Sequence, residues 1–455
     1  MTSESRRRPR RLALTGSAAC LLLAAVACAG AGGGAGDAGT TVTIATVANP
    51  QMQDIEKLTD EFRKDHPDIT VRFVTLPENE LRDRVTQDIA TQAGQYDVVT
   101  IGTYETPIWA ENGWLTPLDD YARQGDYDVD DLIAPVREAL SYDGGMYAAP
   151  FYGESSFLMY RKDLFANAGL TMPERPTWQQ VAQFAEKLND PAKNLAGICL
   201  RGLPGWGEVL APLDTVILTF GGQWYDENWN ARLTSAETKQ AVQFYVDLVR
   251  AHGEPGAPNA GFSECLTAMG QGNAAMWYDA TVGASLLEDP ETSKVAGKVG
   301  YVPAPVVKTD HGGWLWAWSL AVPNTSKHKD AAWEFVSWAT SKDYMKLVGE
   351  KLGWARVPPG SRLSTYEIPE YQQAAKAFAQ PTLDAIQGVN VAQPGVHPQP
   401  WVGVQYVAIP EFQDLGTKVS QEISAAIAGR QSVDEALAKA QGYAEETAAE
   451  GGYRK

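Results

Sequence analysis

Tryptophan accompanied by polar residues is the feature of this sequence best suited to chemistry. The chain has 14 tryptophans, and a quarter of its length holds Trp206, Trp224, Trp229, Trp277, Trp314, Trp316 and Trp318. An indole offers a flat apolar face and one N–H donor. Sugars and polyols present C–H patches that stack on such rings, and hydroxyls that carboxylates, amides and guanidinium groups bind. The pattern indicates a site for a hydroxyl-rich molecule, although core packing explains any single tryptophan equally well.

Motifs of nucleophilic, phosphate-binding and metal chemistry are absent from the sequence, including GxSxG, HExxH, the P-loop and paired CxxC. Asp126, Asp128 and Asp130 begin like a calcium loop. However, Asp131 stands where that loop needs glycine, and Arg137 where it needs glutamate. We interpret this stretch as a solvated acidic turn, and we expect no metal, no cofactor and no enzymatic activity.

Length, charge and cysteine content narrow the class of protein. A chain of 455 residues exceeds the roughly 250–300 residues that one hydrophobic core supports, so at least two domains are expected. A net charge of −18 opposes binding to nucleic acid. Cys199 and Cys265 could pair in an exported protein or remain as buried thiols, and the sequence leaves both open.

The N-terminus has the composition of an export signal. Five arginines between residues 6 and 11 precede an apolar stretch from Leu12 to Ala27, which predicts a signal peptide over residues 1–27. The small residues before Cys28 resemble a bacterial lipobox, which predicts a lipidated Cys28, a flexible tether over 28–40 and anchoring to the outer face of the cell membrane. A plain signal peptide is the alternative, and the general and twin-arginine export routes both remain open.

Hydrophobic periodicity supplies the elements that must position these residues. Residues 41–48, 69–76 and 96–101 read as strands, and the two intervening segments place Ile55, Leu58 and Phe62, then Leu81 and Val85, on helical faces. This β-α-β-α-β order predicts an α/β fold with a parallel sheet covered by helices.

A series of short motifs in this order resembles one family. They are 62–69 (FRKDHPDI), 96–99 (YDVV), 113–118 (GWLTPL), 147–150 (YAAP) and 159–164 (MYRKDL). The chain resembles extracellular solute-binding proteins of ABC sugar importers, family 1, from about Thr41 to Glu445. Further strings are similar to the sorbitol/mannitol-binding branch: 199–207 (CLRGLPGWG), 275–281 (AMWYDAT), 314–318 (WLWAW), 353–360 (GWARVPPG) and 403–410 (GVQYVAIP).

The resemblance implies a periplasmic-binding-protein-like α/β fold with two lobes, a hinge and an interlobe cleft that closes over the ligand. Lobe 1 is expected to hold 41–148 plus 272–320, and lobe 2 to hold 149–271 plus 321–455. Crossings between lobes are expected near Ala149, Thr267 and Val322. The implied partners are a small polyol or sugar and the transmembrane subunits of an ABC permease, and a monomer is expected.

The resemblance, with the rule that open α/β sheets bind ligands at the carboxyl ends of strands, implies a set of binding residues. They are Asn49, Thr103, Tyr104, Glu105, Tyr152, Glu154, Arg201, Trp206, Trp224, Trp277, Asp279, Trp314, Arg356 and Gln405. We expect Trp277 and Trp314 to stack on the carbon chain. Asp279 and Glu154 are expected to accept hydroxyl hydrogen bonds, which Arg201 and Arg356 would donate; a purely structural Glu154 is the alternative.

Two other functions remain open from the sequence. The same role for a disaccharide, an aldose or a pentitol differs from polyol binding only in the shape of the cleft. A secreted glycoside-active enzyme would need two carboxylates about 5–9.5 Å apart, for which Glu154 and Asp279 are the candidates.

Overall fold

The computed structural model of this protein describes residues 39–125 and 127–454. The predicted signal peptide, Cys28 and nearly all of the tether lie outside the described residues, as does Asp126 of the acidic stretch. Within the described ranges, no helix combines the length and the apolarity needed to cross a membrane.

The strands are β1 (Thr40–Val47), β2 (Ile69–Leu76), β3 (Val98–Ile101), β4 (Ser141–Tyr142), β5 (Gly145–Met146), β6 (Ala148–Glu154), β7 (Ser156–Arg161), β8 (Met276–Ala280), β9 (Val299–Pro303) and β10 (Trp316–Ala321). The helices are α1 (Pro50–Asp65), α2 (Glu78–Thr91), α3 (Glu105–Glu111), α4 (Asp119–Gln124), α5 (Ala134–Ala139), α6 (Lys162–Asn167), α7 (Trp178–Leu188), α8 (Leu210–Phe220), α9 (Ala236–His252), α10 (Phe262–Gln271), α11 (Gly283–Leu287), α12 (Lys329–Ala339), α13 (Lys342–Leu352), α14 (Pro369–Ala374), α15 (Ala379–Gln387), α16 (Phe412–Ile427) and α17 (Val433–Glu450).

A five-stranded sheet forms the centre of the first lobe, in the order β2-β1-β3-β10-β6. β1 pairs in parallel with β2 and β3, so the β-α-β-α-β prediction is confirmed. Val42 and Ile44 of β1, and Ile55 and Phe62 of α1, are buried together, because the helix covers the sheet with the apolar face that its periodicity predicts. β10 runs antiparallel between β3 and β6.

A three-stranded sheet in the order β8-β7-β9 belongs to the second lobe. β7 is central and pairs antiparallel with both neighbours. Helix α8 is buried along its whole length, because Leu210–Phe220 carries apolar residues on all its faces. Two sheets with separate helical coverings account for the two domains that the chain length predicts.

Strand pairing corrects the predicted boundaries between the lobes. β8 and β9 pair with β7, so they lie in the second lobe, although 272–320 was assigned to the first. β6 belongs to the first sheet, although the predicted second lobe began at residue 149. Helix α12 packs against α1, β1 and β6 and therefore also lies in the first lobe. These pairings join residues more than 100 positions apart, which local periodicity does not reveal.

The chain crosses between the sheets at Ser155 and again between β9 and β10, displaced from the crossings predicted near Ala149 and Val322. The Thr281 amide donates to the Ser155 carbonyl at 2.8 Å, and the Ser155 amide donates to Thr281 Oγ1 at 3.2 Å. Gly313 lies against the first crossing so closely that a Cβ there would sit 2.7 Å from Ser155 Oγ. A side chain at residue 313 would therefore require the Ser155 hydroxyl to move.

A disulfide joins Cys199 to Cys265 on α10 across 66 residues of sequence, which settles the alternatives left open by the sequence in favour of the pair. Both cysteines are fully buried. The bond ties α10 to the segment that carries Arg201, next to the cleft.

Replacing both cysteines, Cys199→Ser with Cys265→Ser, should lower the free energy of unfolding by about 2–4 kcal/mol, because a crosslink restricts the unfolded chain. Urea denaturation of the wild type and the double variant measures the difference. Reductant should destabilise the wild type and leave the double variant unchanged. Equal unfolding midpoints without reductant would contradict the assignment.

Candidate functional site

A cavity of about 260 Å³ lies between the lobes, where β1, β6 and β8 reach their carboxyl ends. This is near the small end of protein ligand pockets, which run from roughly 300 to 1,000 Å³. Six of the predicted residues line it: Asn49, Tyr152, Glu154, Arg201, Trp314 and Gln405. The residues expected from the rule that open α/β sheets bind ligands at the strand ends therefore meet in part at one cavity.

The first lobe supplies one aromatic wall from two paired strands. Tyr152 and Glu154 are two residues apart on β6 and point the same way, while Trp316 and Trp318 alternate likewise on β10. Trp316 pairs with Glu154 across the strands, and Trp318 pairs with Tyr152. All four side chains line the cavity. Asn49, which follows β1, donates from Nδ2 to the Tyr152 hydroxyl at 2.8 Å.

Trp314 continues this wall beyond the start of β10, and like Trp316 it lines the cavity. Its Nε1 is buried and forms no hydrogen bond of ordinary length and angle with the described residues, although the indole lies close enough to Glu154 to favour the ionised carboxylate. Gln405 Oε1, on another part of the cavity wall, is also buried and unpaired. Buried polar groups are normally hydrogen-bonded, so this donor and this acceptor are available to a ligand that carries hydroxyls.

Arg201 is the main cation on the second-lobe side. Its Nε and Nη2 donate to the two carboxylate oxygens of Asp279, at 2.8 and 2.5 Å. Its Nη1 donates to the Gly207 carbonyl at 2.8 Å and lies 3.4 Å from a Glu208 oxygen. Burial opposes the charge on Arg201, but Asp279 and Glu208 outweigh it and raise the pKa of the guanidinium. Arg201 is therefore a fixed, charged donor at the cavity.

Asp279 and Trp277 do not line the cavity, contrary to the prediction. Trp277 Nε1 donates to Asp279 Oδ2 at 3.0 Å, and the Ala280 amide donates to Oδ1 at 2.6 Å. Together with Arg201, these donors occupy both oxygens of Asp279. The two residues hold Arg201 in place rather than face a ligand. Asp279 also cannot serve as the second carboxylate of a glycosidase pair with Glu154.

Two carboxyl groups on the cavity wall have altered acidity. Burial raises the pKa of Glu154 well above its ordinary value, although Arg201 opposes the shift. Burial also raises the pKa of Glu208 to about 8, again against the charge of Arg201. Near neutral pH the Glu208 carboxyl group can therefore carry a proton and donate as well as accept a hydrogen bond.

Arg82 is a cavity residue that the sequence reasoning missed. Its guanidinium carbon lies 4.0 Å from the centre of the Trp206 ring and 5.0 Å from the rings of Trp316 and Trp318. Glu78 Oε1 accepts from its Nη2 at 2.9 Å, and Glu105 pairs with its Nη1. The available signal was an arginine beside Leu81 on the apolar face of α2, with a glutamate four residues earlier.

Several predicted residues support the wall without lining it. Glu105 holds Arg82, and Trp206 lies beneath its guanidinium while donating from Nε1 to Gln413 Oε1 at 2.8 Å. The Tyr104 hydroxyl donates to the Ile409 carbonyl at 3.0 Å. The Thr103 carbonyl accepts from the Tyr406 hydroxyl at 3.2 Å.

Trp224 and Arg356 lie away from the cavity, so their predicted ligand contacts are corrected. Trp224 is 4% exposed and donates from Nε1 to Asp214 Oδ1 at 3.0 Å, which makes it a core residue. Arg356 is paired with Asp54 and Asp289. Beyond Arg82, the structure adds Glu78, Glu208 and Phe262 to the wall. Neither their spacing nor their neighbours in the sequence distinguished these three residues.

Comparison with known proteins bears on the family. Residues 49–346 match the family model described as "Bacterial extracellular solute-binding protein". A mannitol-binding protein of Pseudomonas aeruginosa is 48% identical over 402 residues, which cover 88% of this chain and 91% of that protein. An erythritol/L-threitol-binding protein of Mycolicibacterium smegmatis is 26% identical over 69% of each chain.

Solved structures bear on the fold. An ABC transporter solute-binding protein from Agrobacterium vitis, crystallised with bound D-mannitol, is 52% identical with a TM-score of 0.90, and the match covers 91% of this chain and all of the other. One from Agrobacterium radiobacter in complex with ribitol is 26% identical with a TM-score of 0.79, covering 90% and 98% of the two chains. The predicted two-lobed fold is confirmed, and this chain belongs to the bacterial extracellular solute-binding protein family.

Proposed function

We propose that this chain is the substrate-binding subunit of an ABC importer and that it captures a six-carbon sugar alcohol of the mannitol or sorbitol type without altering it. The observation that carries the proposal is the pair of unpaired groups on the cavity wall, Trp314 Nε1 and Gln405 Oε1, beside the fixed guanidinium of Arg201. Two similar proteins that bind mannitol support the same ligand class.

The chemistry of the wall fits an extended polyol. Each hydroxyl donates and accepts, so one ligand can satisfy the Trp314 donor, the Gln405 acceptor and Arg201 together. Hydrogen bonds to charged groups contribute about 1.5–3 kcal/mol each, and Arg201 is placed to make one. The rings of Trp316 and Trp318 lie where the C–H edges of the carbon chain would pack.

The small cavity favours a single-chain polyol or monosaccharide over a disaccharide, because about 260 Å³ lies near the small end of ligand pockets. An aldose or a pentitol would meet the same wall chemistry and is the second candidate. In this proposal the chain acts as a monomer, tethered by a lipid on Cys28 to the outer face of the cell membrane. Closure of the lobes over the ligand then presents the loaded form to the transmembrane subunits of the permease.

A panel of ligands tests the proposed substrate class. Mannitol and sorbitol should raise the melting temperature of the purified protein, because a ligand that binds only the folded state adds about 2.7 kcal/mol of stability at 100 times its Kd. Arabitol and glucose test the second candidate. Differential scanning fluorimetry provides the readout. Stabilisation by maltose or trehalose, with none by polyols, would overturn the proposal.

The indole N–H of Trp314 is tested by Trp314→Phe, which keeps an aromatic ring but removes the donor. The Kd for mannitol should rise about two- to ten-fold, since one neutral hydrogen bond contributes about 0.5–1.5 kcal/mol. Isothermal titration calorimetry measures the change.

The matched control for this variant is Trp224→Phe, the same substitution at a buried indole outside the cavity. It leaves Asp214 without its donor and should lower thermal stability while leaving mannitol affinity unchanged. Equal loss of affinity in both variants would show that Trp314 acts through the fold rather than through the ligand.

The lipid anchor is tested by Cys28→Ser. Full-length protein expressed in a bacterium that processes lipoproteins should move from the membrane fraction to the soluble fraction, because no acyl chain can then be attached. Immunoblotting of both fractions measures this, with Cys20→Ser as the control that should stay with the membrane. Continued membrane association of Cys28→Ser would contradict the proposed anchor.

A further inference from the structure

A polar contact outside the cavity joins the lobes beside the cleft. Arg356 ends the short 3-10 helix Trp354–Arg356, which follows α13 and packs against it. Because α13 packs on α12, this segment continues from the first lobe, and it also contacts α11 of the second lobe. Asp54 lies on α1 of the same lobe. Asp289 follows α11 and precedes β9 of the second lobe. We refer to Asp54, Arg356 and Asp289 as the clasp.

Asp54 and Asp289 contact different donors of the Arg356 guanidinium. Asp54 fixes the guanidinium through two donors: Nε reaches Oδ2 at 2.9 Å and Nη2 reaches Oδ1 at 2.8 Å. The remaining arm, Nη1, reaches Asp289 Oδ2 at 2.9 Å. Asp54 of the first lobe therefore orients the Arg356 guanidinium, and the remaining donor of Arg356 reaches the second lobe.

Asp289 is held equally firmly on its side. Its Oδ1 accepts from the Glu291 amide at 3.0 Å, and its Oδ2 accepts from the Thr292 hydroxyl at 3.1 Å. The side chains of Asp54, Asp289 and Arg356 are 3%, 9% and 14% exposed. The Arg356–Asp54 pair is bidentate, and the Arg356–Asp289 pair is a single contact. Sheltered ion pairs are stronger than exposed ones, because water screens them less.

Further contacts link the lobes outside the clasp, and two of them involve the first-lobe helices α1 and α2. Gln51 Nε2 on α1 donates to Ser285 Oγ on α11 at 3.2 Å, one helical turn from Asp54. Asn79 Nδ2 on α2 donates to the Pro204 carbonyl of the second lobe at 2.9 Å. The lobes thus meet through α1 and α2, which both begin at the carboxyl ends of first-sheet strands beside the cavity.

We propose that Arg356 and Asp289 form a latch that stabilises the closed conformation and so increases the affinity for any ligand that the cavity accepts, without either residue touching the ligand. Neither residue lines the cavity. The inference rests on the proposed ligand capture by closure. When only a fraction of the protein is in the binding-competent form, the apparent Kd rises by the inverse of that fraction. Loss of the latch therefore acts on all ligands by the same factor.

The test is a double-mutant cycle with Arg356→Gln, Asp289→Asn and both together. Each single variant should raise the Kd for mannitol by roughly 5- to 150-fold, the usual range of coupling energies between sites. The Kd for sorbitol should rise by the same factor. The double variant should be no weaker than the worse single variant, because both remove one contact. Stopped-flow fluorescence should place most of the change in the dissociation rate.

Lys57→Gln is the matched control. Lys57 Nζ also contacts Asp54, at 2.9 Å, but from the same helix, and its side chain is 57% exposed. It should bind mannitol as the wild type does. Should Arg356→Gln fail to fold, as circular dichroism would show, Asp289→Asn carries the test, since Arg356 would keep its pair with Asp54.

Small-angle X-ray scattering separates the latch from a merely structural role. With saturating mannitol, the variants should regain the compactness of the wild type, whereas at intermediate ligand concentrations they should stay more expanded. Wild-type affinity in Asp289→Asn, additive losses in the cycle, or a loss for mannitol alone would each overturn the latch. Absence of polyol binding by the wild type would instead refute the proposed ligand, and the same measurements with the sugar that does bind would still test the latch.

Discussion

The buried guanidinium of Arg201 sets the requirement that much of the site must satisfy. A buried charge is costly unless a partner neutralises it and its donors are used, and Asp279 does so with both oxygens. Asp279 in turn accepts hydrogen bonds from Trp277 Nε1 and the Ala280 amide. Trp277 and Asp279 both lie on β8. This strand therefore supports the cavity wall by holding Arg201, and these two side chains do not line the cavity. The rigid donor that results needs no rearrangement when a ligand arrives.

The first lobe also contains a buried arginine whose charge is neutralised by carboxylates. Arg82 is neutralised by Glu78 and Glu105, and its guanidinium stacks over Trp206. The two arginines approach the cavity from opposite lobes, and each is supported by carboxylates of its own lobe. Among the described residues that line the cavity, Trp314 Nε1 and Gln405 Oε1 are buried and unpaired. The affinity of such a wall comes from a few polar atoms, while the aromatic rings exclude water from them.

The elements that periodicity predicted correctly are mostly those that pack against their neighbours in the sequence. β1, α1, β2, α2 and β3 follow one another and pack as neighbours, so their alternation determined the parallel sheet. The placement of β8 and β9 in the first lobe was wrong, because both strands pair with β7, more than 100 residues earlier in the sequence. Asp54 and Arg356 are also far apart in the sequence. For that reason the sequence did not reveal their ion pair, and Arg356 was expected at the ligand instead.

The sequence by itself determined the fold class, the family and the neighbourhood of the cleft, since strand ends, short motifs and clustered tryptophans are local features. Only the tertiary structure decided which of those side chains face the cavity. Alternation along β10 shows that Trp316 and Trp318 share a direction, but not which direction. That choice depends on the opposing strand: β6 places Tyr152 and Glu154 beside Trp318 and Trp316 on the open face. Likewise, whether Asp279 meets a ligand or Arg201 depends on contacts between segments 78 residues apart, which no local pattern encodes.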